Sequence, residues 1–118
     1  MTVAFAVKSG FEYSPSLVSY IERRIEHALH AHATHIRRIL VRLVDVNGPR
    51  HGARDKVARF DISLVGGGHV MATGASDNLY TSVARVALRA RTAVSRHVEQ
   101  RLQGARRNRR NQRDRRGQ

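Results

Sequence analysis

The segment from Val57 to Val65 constrains the fold of this chain more strongly than any other part of the sequence. Apolar and polar residues alternate along it, which is the pattern of a β-strand with one buried and one exposed face. A sheet made of such strands is covered on one side only. We therefore expect one face of the sheet to pack against helices and the other to be open. The residues of the buried side are Ala58, Phe60, Ile62 and Leu64.

Three further segments are predicted as strands because they are β-branched or alternating and end at turn residues. The glycine run Gly66–Gly68 can adopt the positive φ angles of a tight hairpin, so it is expected to join the last two strands. An exposed basic loop, Gly48–Lys56, is expected between strands two and three. The three further strands are Thr2–Lys8, Ile36–Val46 and His69–Ala75.

Two segments are predicted as helices. The first begins at Ser14-Pro15, where the serine oxygen can accept a hydrogen bond from an unpaired amide and proline has no amide to leave unpaired. Ser76-Asp77 is predicted to cap a second, longer helix whose apolar residues fall within about 60° of one direction. The predicted fold is therefore α+β, in the order β-α-β-β-β-α, with a four-stranded sheet and two helices on one face.

The charge of the chain indicates a polyanionic partner. It has 22 Lys and Arg against 9 Asp and Glu in 118 residues, a formal net charge of +13. Solubility of a small domain needs a net charge of magnitude only about 2 to 8, and self-repulsion at this level opposes compaction unless a polyanion relieves it. Such a balance is typical of a nucleic-acid-binding protein, with a merely solubilising surface as the alternative.

Other function classes find little support in the sequence. The absence of cysteine excludes disulfides, thiolate zinc sites and thiol nucleophiles. The histidines of residues 27–35 lack the spacing of a metal-binding helix, and the carboxylates are scattered, with Asp45, Asp55 and Asp61 the nearest to a group. We therefore expect no cofactor, no metal, no small-molecule substrate and no enzyme activity. Because no run of 18 apolar residues is present, we expect a cytoplasmic protein without a membrane partner.

Three arginines of the second predicted helix, Arg85, Arg89 and Arg96, lie on one flank. Helical neighbours of like charge repel by roughly a few tenths of a kcal/mol per pair, and no Glu lies four residues before them. An arrangement with a local cost and no local partner indicates an external anion, and the arginine fork suits phosphate. A solvated, arginine-rich face is the alternative. Further basic residues are expected on the open sheet face (Lys56, Arg59 and Arg42) and on the polar side of helix one (Arg23, Arg24 and His27).

From Gly104 onward the chain has no apolar periodicity and carries seven Arg and one Asp. Such a segment is predicted to be disordered when free. The sequence thus divides into a domain over residues 1–103 and a tail over residues 104–118. The tail is expected to raise affinity for nucleic acid through counterion release, without reading bases.

Over about residues 3–103 the sequence resembles the family of ribosome hibernation promoting factors and ribosome-associated inhibitors, once called sigma-54 modulation proteins. The resemblance rests on the joint order and separation of short motifs. The loop from Asp45 to Arg50, with Asp55-Lys56, is similar to that of a short-form subgroup. The other motif residues are Phe11, Ser14-Pro15-Ser16-Leu17 and Tyr20, then the glycine hairpin, then Ser76-Asp77-Asn78-Leu79-Tyr80.

The resemblance implies a fold similar to double-stranded RNA-binding domains, lodged in the channel of the small ribosomal subunit where messenger and transfer RNA would lie. It implies a stress-response protein that inhibits translation by occupancy, with the small subunit and its rRNA as partners and a monomeric free state. The family's basic positions carry over to Arg24, Arg89 and Arg96. By contrast, Thr92 stands where a basic residue is common, and Ala84 where an Asp often follows the Tyr.

The leading hypothesis is therefore a short-form ribosome hibernation factor that binds rRNA. A general binding module for double-stranded RNA or DNA shares the same electrostatics and is the alternative, and a nuclease has far less support. The predicted rRNA-binding residues are Arg24, Arg42, Lys56, Arg59, Arg85, Arg89 and Arg96.

Overall fold

The computed structural model of the chain describes residues 1–6, 13–45 and 56–116, with side chains up to residue 110. The predicted order β-α-β-β-β-α is confirmed. The predicted end of strand one at Lys8, the motif residue Phe11 and the loop over residues 46–55 lie outside the described residues. The elements are β1 (Thr2–Phe5), α1 (Pro15–Leu29), a short 3₁₀ helix (His30–His35), β2 (Ile36–Asp45), β3 (Lys56–Leu64), β4 (His69–Ser76) and α2 (Leu79–Arg116).

The four strands form one sheet in the order β1-β2-β3-β4. β1 is parallel to β2, and the other neighbours are antiparallel. A parallel pair needs a crossover connection, and the segment that contains α1 makes it. The β3–β4 hairpin turns on Gly66, Gly67 and Gly68, whose φ angles are 82°, 95° and 103°. The predicted role of the glycine run is thus confirmed.

The core lies between one face of the sheet and the two helices. The alternation predicted for β3 is confirmed, since its apolar set is almost fully buried and the intervening residues point to the open face. Each helix turns one apolar stripe towards the same cluster. The helical residues of that cluster are Leu17, Ile21, Ile25 and Leu29 from α1, and Val83, Val86, Ala87, Ala90 and Val94 from α2.

The start of α1 is fixed to β1 by two side chains. Ser14 Oγ accepts a hydrogen bond from the Leu17 amide at 3.2 Å, which confirms the predicted N-cap. The Tyr13 hydroxyl donates to the Ala6 carbonyl at 2.8 Å, and its ring meets Phe5 edge-on at 5.4 Å between centroids. Burial raises the pKa of the Tyr13 phenol above its ordinary value. These contacts orient α1 as it leaves the sheet.

The start of α2 differs from the prediction by two residues. Asn78 Oδ1 accepts hydrogen bonds from the amides of Tyr80 at 2.9 Å and Thr81 at 3.4 Å, so Asn78 is the capping residue. The predicted cap at Ser76-Asp77 is therefore wrong. Ser76 is the last residue of β4, and its buried hydroxyl accepts from the Asn78 amide at 3.0 Å. Asparagine caps helices as well as serine does, and Asn78, the residue directly before the helix, takes this role.

In the structure α2 continues to Arg116, beyond Gly104. The predicted disorder of residues 104–118 in the free chain stays a prediction. Arg and Gln are good helix formers and the segment has no proline, so nothing local stops the helix except Gly104. The division at residue 103 stays a prediction. Among the described helices, none has the length together with the apolar composition that a membrane crossing requires.

Helix α2 is seated on β4 at Gly74. A Cβ atom at this position would lie 2.6 Å from the Ser82 carbonyl oxygen and 2.7 Å from the Val86 nitrogen. No other residue type allows this approach of two backbones. Next to it, the buried Ser82 hydroxyl donates to the Lys56 carbonyl at 2.7 Å, which ties α2 to β3. The positions of the α2 side chains relative to the sheet depend on this close contact between α2 and Gly74.

We expect Gly74→Ala to lower the free energy of unfolding by about 1–3 kcal/mol, because the new methyl group would push α2 off the sheet. Urea denaturation of the full chain measures this. Gly104→Ala is the control, since nothing lies within 4 Å of a Cβ there, and it should cost no stability. Equal stability of the two variants would contradict the close seat.

Candidate nucleic-acid interface

The arginine row predicted on α2 lies along the free edge of the sheet. Arg85 Nη1 donates to the Ala75 carbonyl at 2.7 Å, and Arg89 Nη1 donates to the Thr73 carbonyl at 2.7 Å. β4 is the last strand, and the residues of β4 that bond to β3 alternate with these two. The two carbonyls therefore face outward, where no described strand donates to them. Two members of the row thus have local partners, contrary to the expectation from sequence.

Arg96, the third member of the row, and Arg101, on another side of α2, differ in their contacts. Arg96 has no hydrogen-bond or ion-pair partner among the described residues and is exposed. Arg101 donates to the carbonyls of Val65 at 2.6 Å and Gly66 at 2.9 Å, and also to that of Gly67. It therefore clamps α2 to the β3–β4 hairpin. Nothing in the sequence marks Arg101 for this role, because backbone acceptors leave no pattern of residue types.

The open sheet face carries a second basic group with a carboxylate at its centre. Arg59 donates through Nε and Nη2 to Asp61 Oδ1, both at 3.1 Å. Arg42 Nε lies 3.6 Å from Asp61 Oδ2, and His69 Nε2 lies 3.8 Å from Asp61 Oδ1. Arg42 and Arg59 are direct cross-strand neighbours, an unfavourable pairing of like charges that Asp61 relieves. The structure thus brings together two of the three residues predicted on this face.

Lys56 does not lie on the open face, which corrects the prediction. Along β3 it shares the side of Ala58 and Phe60, and its register partner on β2 is Asp45. Lys56 Nζ donates to Asp45 Oδ2 at 2.6 Å. The alternation of the strand already indicates the side of the sheet on which Lys56 lies, because Lys56 is an even number of residues from the buried side chains. Asp45 has the structural, charge-balancing role that is common for such carboxylates.

A third basic surface lies between the two helices. Arg24 and His27 of α1 border two adjoining depressions, of about 280 Å³ and 90 Å³. We call them together the interhelical groove. No carboxylate lines it. The α1 side of the groove is formed by Tyr20, Arg23, Arg24, His27 and Ala28, and the α2 side by Ala84, Ala87, Leu88 and Arg91.

Tyrosine contacts hold Arg24 in the groove. Its guanidinium carbon lies 5.9 Å from the centroid of the Tyr20 ring. Tyr20 in turn packs edge-on against Tyr80 at 4.8 Å, and its hydroxyl donates to the Tyr80 carbonyl at 3.3 Å. Arg91, which faces Arg24 from α2, was missed by the sequence reasoning because it lies off the predicted arginine row. Ala84 adds no charge to the groove.

The three basic surfaces do not form one patch. Arg42 and Arg59 lie on the open face, whereas Arg24 lies on the helix side, and the sheet separates them. The described histidines form no metal-binding cluster either. His30 Nδ1 lies 2.8 Å from Glu26 Oε1, and within residues 1–6, 13–45 and 56–116 no three His, Asp or Glu side chains come together as metal ligands. What the arrangement can do chemically is hold anions.

We expect Arg85→Ala and Arg89→Ala each to lower the free energy of unfolding by about 0.5–1.5 kcal/mol, because each removes a hydrogen bond to a strand carbonyl. Arg96→Ala, which removes the same charge without such a bond, should leave stability unchanged. Urea denaturation of the three variants makes the comparison. Equal stabilities would mean that the edge bonds contribute nothing.

Asp61→Asn should lower the free energy of unfolding by about 0.5–1 kcal/mol at low salt, because Arg42 and Arg59 are left facing each other. High salt should restore part of the loss by screening the repulsion. Asp77→Asn is the control, since Asp77 is exposed and has no partner among the described side chains. A loss that salt does not reduce would contradict the electrostatic account.

Known proteins share this fold. The sequence profile of the family described as sigma 54 modulation protein / S30EA ribosomal protein matches residues 7–102. A ribosomal subunit interface protein from Coxiella burnetii is similar in structure, with a TM-score of 0.66 and 19% identity over 84% of this chain and 99% of that chain. The N-terminal domain of Protein Y from Thermus thermophilus is similar with a TM-score of 0.60 and 19% identity, over 81% of this chain and 94% of that chain. No curated protein sequence gives a significant match.

Proposed function

Since this chain belongs to the sigma 54 modulation protein / S30EA ribosomal protein family, a family of ribosome-associated modulators, we propose that it binds rRNA of the small subunit in the channel of messenger and transfer RNA and inhibits translation by occupying it. The family match confirms the resemblance found in the sequence. The solved relative from Coxiella burnetii carries the name of a ribosomal subunit interface protein, which supports the same site of action.

The interhelical groove is the observation that carries this proposal. It has arginines on both walls and no carboxylate to compete with phosphate. Leu88 and Tyr80 beside it are 61% and 44% exposed. Phosphates can bind the guanidinium forks, while sugars and unpaired bases can lie on the apolar and aromatic surfaces. A surface made only for solubility has no need for exposed apolar residues between its charges.

The other predicted residues take different parts in this proposal. Arg96 is free to bind phosphate, as is Arg24 apart from its ring contact. Arg85 and Arg89 each use one donor on a strand carbonyl and keep others for RNA. Arg42 and Arg59 share Asp61 and would meet a different RNA element, on the far side of the sheet. Lys56, paired with Asp45, would contribute least.

The same picture supports a monomer as the free state. An open strand edge is a template for pairing with a second sheet. Arg85 and Arg89 occupy the carbonyls of Ala75 and Thr73 on β4, and Arg101 occupies that of Val65 in the hairpin, which disfavours pairing along this part of the edge. Ribosome binding places the protein in the cytoplasm, and neither a cofactor nor a small-molecule substrate has a part in the proposed activity.

A general binder of duplex nucleic acid is the second candidate, and the charge of +13 alone would suit it. The salt dependence of binding distinguishes a ribosome-binding protein from a general duplex binder. A protein shaped for the subunit engages several surfaces at once, so it should co-sediment with small subunits at a salt concentration that releases it from plain duplex RNA. Release from small subunits and from duplex RNA at the same salt concentration would favour the general binder. In a separate test, the added protein should inhibit translation in a cell-free system.

Arg24→Glu should weaken binding to small subunits about tenfold or more, because a charge-assisted hydrogen bond to phosphate contributes about 1.5–3 kcal/mol and is replaced by repulsion. Arg37→Glu is the matched control. It changes the net charge by the same amount on an exposed residue outside all three surfaces. Sedimentation binding curves measure the affinity of both variants for small subunits. Equal weakening would mean that binding depends on net charge alone and not on the groove.

A further inference from the structure

We propose that residues 104–116, the C-terminal part of α2, are a helical arm that binds the phosphates of duplex RNA and keeps its helix through that binding. The proposal rests on the proposed function, because it names a second contact of the same protein with RNA. We call this segment the arm. Its sequence alone indicates only loose electrostatic attraction, whereas its helical geometry gives it a defined binding face.

The arm extends beyond the folded domain. From residue 105 to residue 110 every side chain is exposed, so the arm buries nothing there. At about 1.5 Å per residue, a helix over residues 104–116 is about 20 Å long. The molecule as a whole measures 69 × 26 × 23 Å. The elongated shape is that of a domain with a protruding helix.

The domain sets the direction in which the arm points. Three residues before it begins, Arg101 holds α2 to the hairpin through the carbonyls of Val65, Gly66 and Gly67. The adjoining Leu64, Val98 and Leu102 line an apolar depression of about 260 Å³ at the same place. The arm therefore leaves the domain from a clamped point and not from a free chain end.

The arginines in the first part of the arm, up to Arg110, occupy one side of the helix. At about 100° per residue, the four of them with described side chains fall within an arc of about 160°. That arc is centred nearly opposite Arg101, which points to the hairpin, while Asn108 falls close to the direction of Arg101. The basic face thus points away from the domain and cannot be neutralised by it. The four arginines are Arg106, Arg107, Arg109 and Arg110, all exposed.

The helix of the arm needs a counter-charge. Arg106 lies one turn from both Arg109 and Arg110, and Arg107 lies one turn from Arg110, so like charges face each other along the helix. The arm has one carboxylate, Asp114, against seven arginines. A short helix without tertiary packing is marginal in water. Bound phosphates remove the repulsion and engage the guanidinium forks, so binding and helix formation are coupled.

Duplex RNA is the partner that this face fits. The arc contains no apolar residue, whereas the centre of a protein–protein interface is apolar and poor in charge. From Arg106 to Arg110 the face extends about 6 Å along the helix axis, and the long arginine side chains let it contact neighbouring phosphates of a strand. Among the described residues of the face, no group other than arginine is suited to reading base edges. Duplex RNA offers dense rows of phosphates beside its grooves.

Asn108→Pro in the full chain tests the arm, because it breaks the helix and leaves every charge in place. Asn108→Ala is the matched control, which favours the helix. We expect Asn108→Pro to bind a fluorescent RNA duplex of about 20 base pairs roughly fivefold to tenfold more weakly than the control, by fluorescence anisotropy. Equal affinities would overturn the proposal, because charge alone would then account for binding.

Circular dichroism with inorganic polyphosphate provides a second measurement. Helix signal should rise on adding polyphosphate to the wild type and to Asn108→Ala, and rise less for Asn108→Pro. An equal rise in all three, or none in any, would overturn the coupling of binding to helix formation.

Sedimentation with small subunits separates this proposal from the proposed function. If the wild type fails to bind subunits but the two Asn108 variants still differ on duplex RNA, the ribosome proposal fails and the arm stands. If the wild type binds subunits and the variants do not differ on duplex RNA, the arm fails and the ribosome proposal stands.

Discussion

Helix α2 lies directly against β4 at Gly74, where no side chain separates the two backbones. This seat determines what both sides of the helix can do. On the outer side, Arg85 and Arg89 come within reach of the open carbonyls of the strand. On the other side, Ala84, Ala87 and Leu88 are presented to α1 and leave room for the interhelical groove. A bulkier residue at Gly74 would displace both surfaces together.

The positively charged side chains fall into three groups according to their partners. Backbone carbonyls accept hydrogen bonds from Arg85, Arg89 and Arg101. Carboxylates form ion pairs with Arg42, Arg59 and Lys56. The remaining arginines of the helix side, notably Arg24, Arg91 and Arg96, have neither kind of partner among the described residues. A net charge of +13 therefore does not locate the binding surface. The number of hydrogen-bond and ion-pair partners of each arginine is a better guide to that surface, because an arginine already bonded in the protein has fewer donors left for phosphate.

The fold could be predicted from the sequence because its signals are local. Alternation marked β3, a glycine run marked the hairpin, and Ser14 with Pro15 marked the start of α1. The site was less accessible, because its contacts join distant segments. That Asp61 relieves Arg42 and Arg59 depends on the register of two strands, and the carbonyls that accept Arg85 and Arg89 have no residue type to reveal them. Lys56 was different, since strand alternation already indicated its actual side of the sheet. Capping preference alone could not choose between Ser76 and Asn78, because serine and asparagine are about equally good caps.

The proposed selectivity for the ribosome follows from the separation of the basic surfaces. The sheet divides Arg42 and Arg59 from the interhelical groove, and the arm extends beyond both. A straight duplex can lie along one of these surfaces at a time, so it gains only part of the available phosphate contacts. Folded rRNA that surrounds a channel can meet several of them together. Because counterions are released at each contact, affinity for such a channel rises with the number of surfaces engaged, while affinity for a plain duplex does not. Under the proposed function, the same charge would give weak binding to a plain duplex and strong binding to an enclosing RNA, and the difference would be one of geometry.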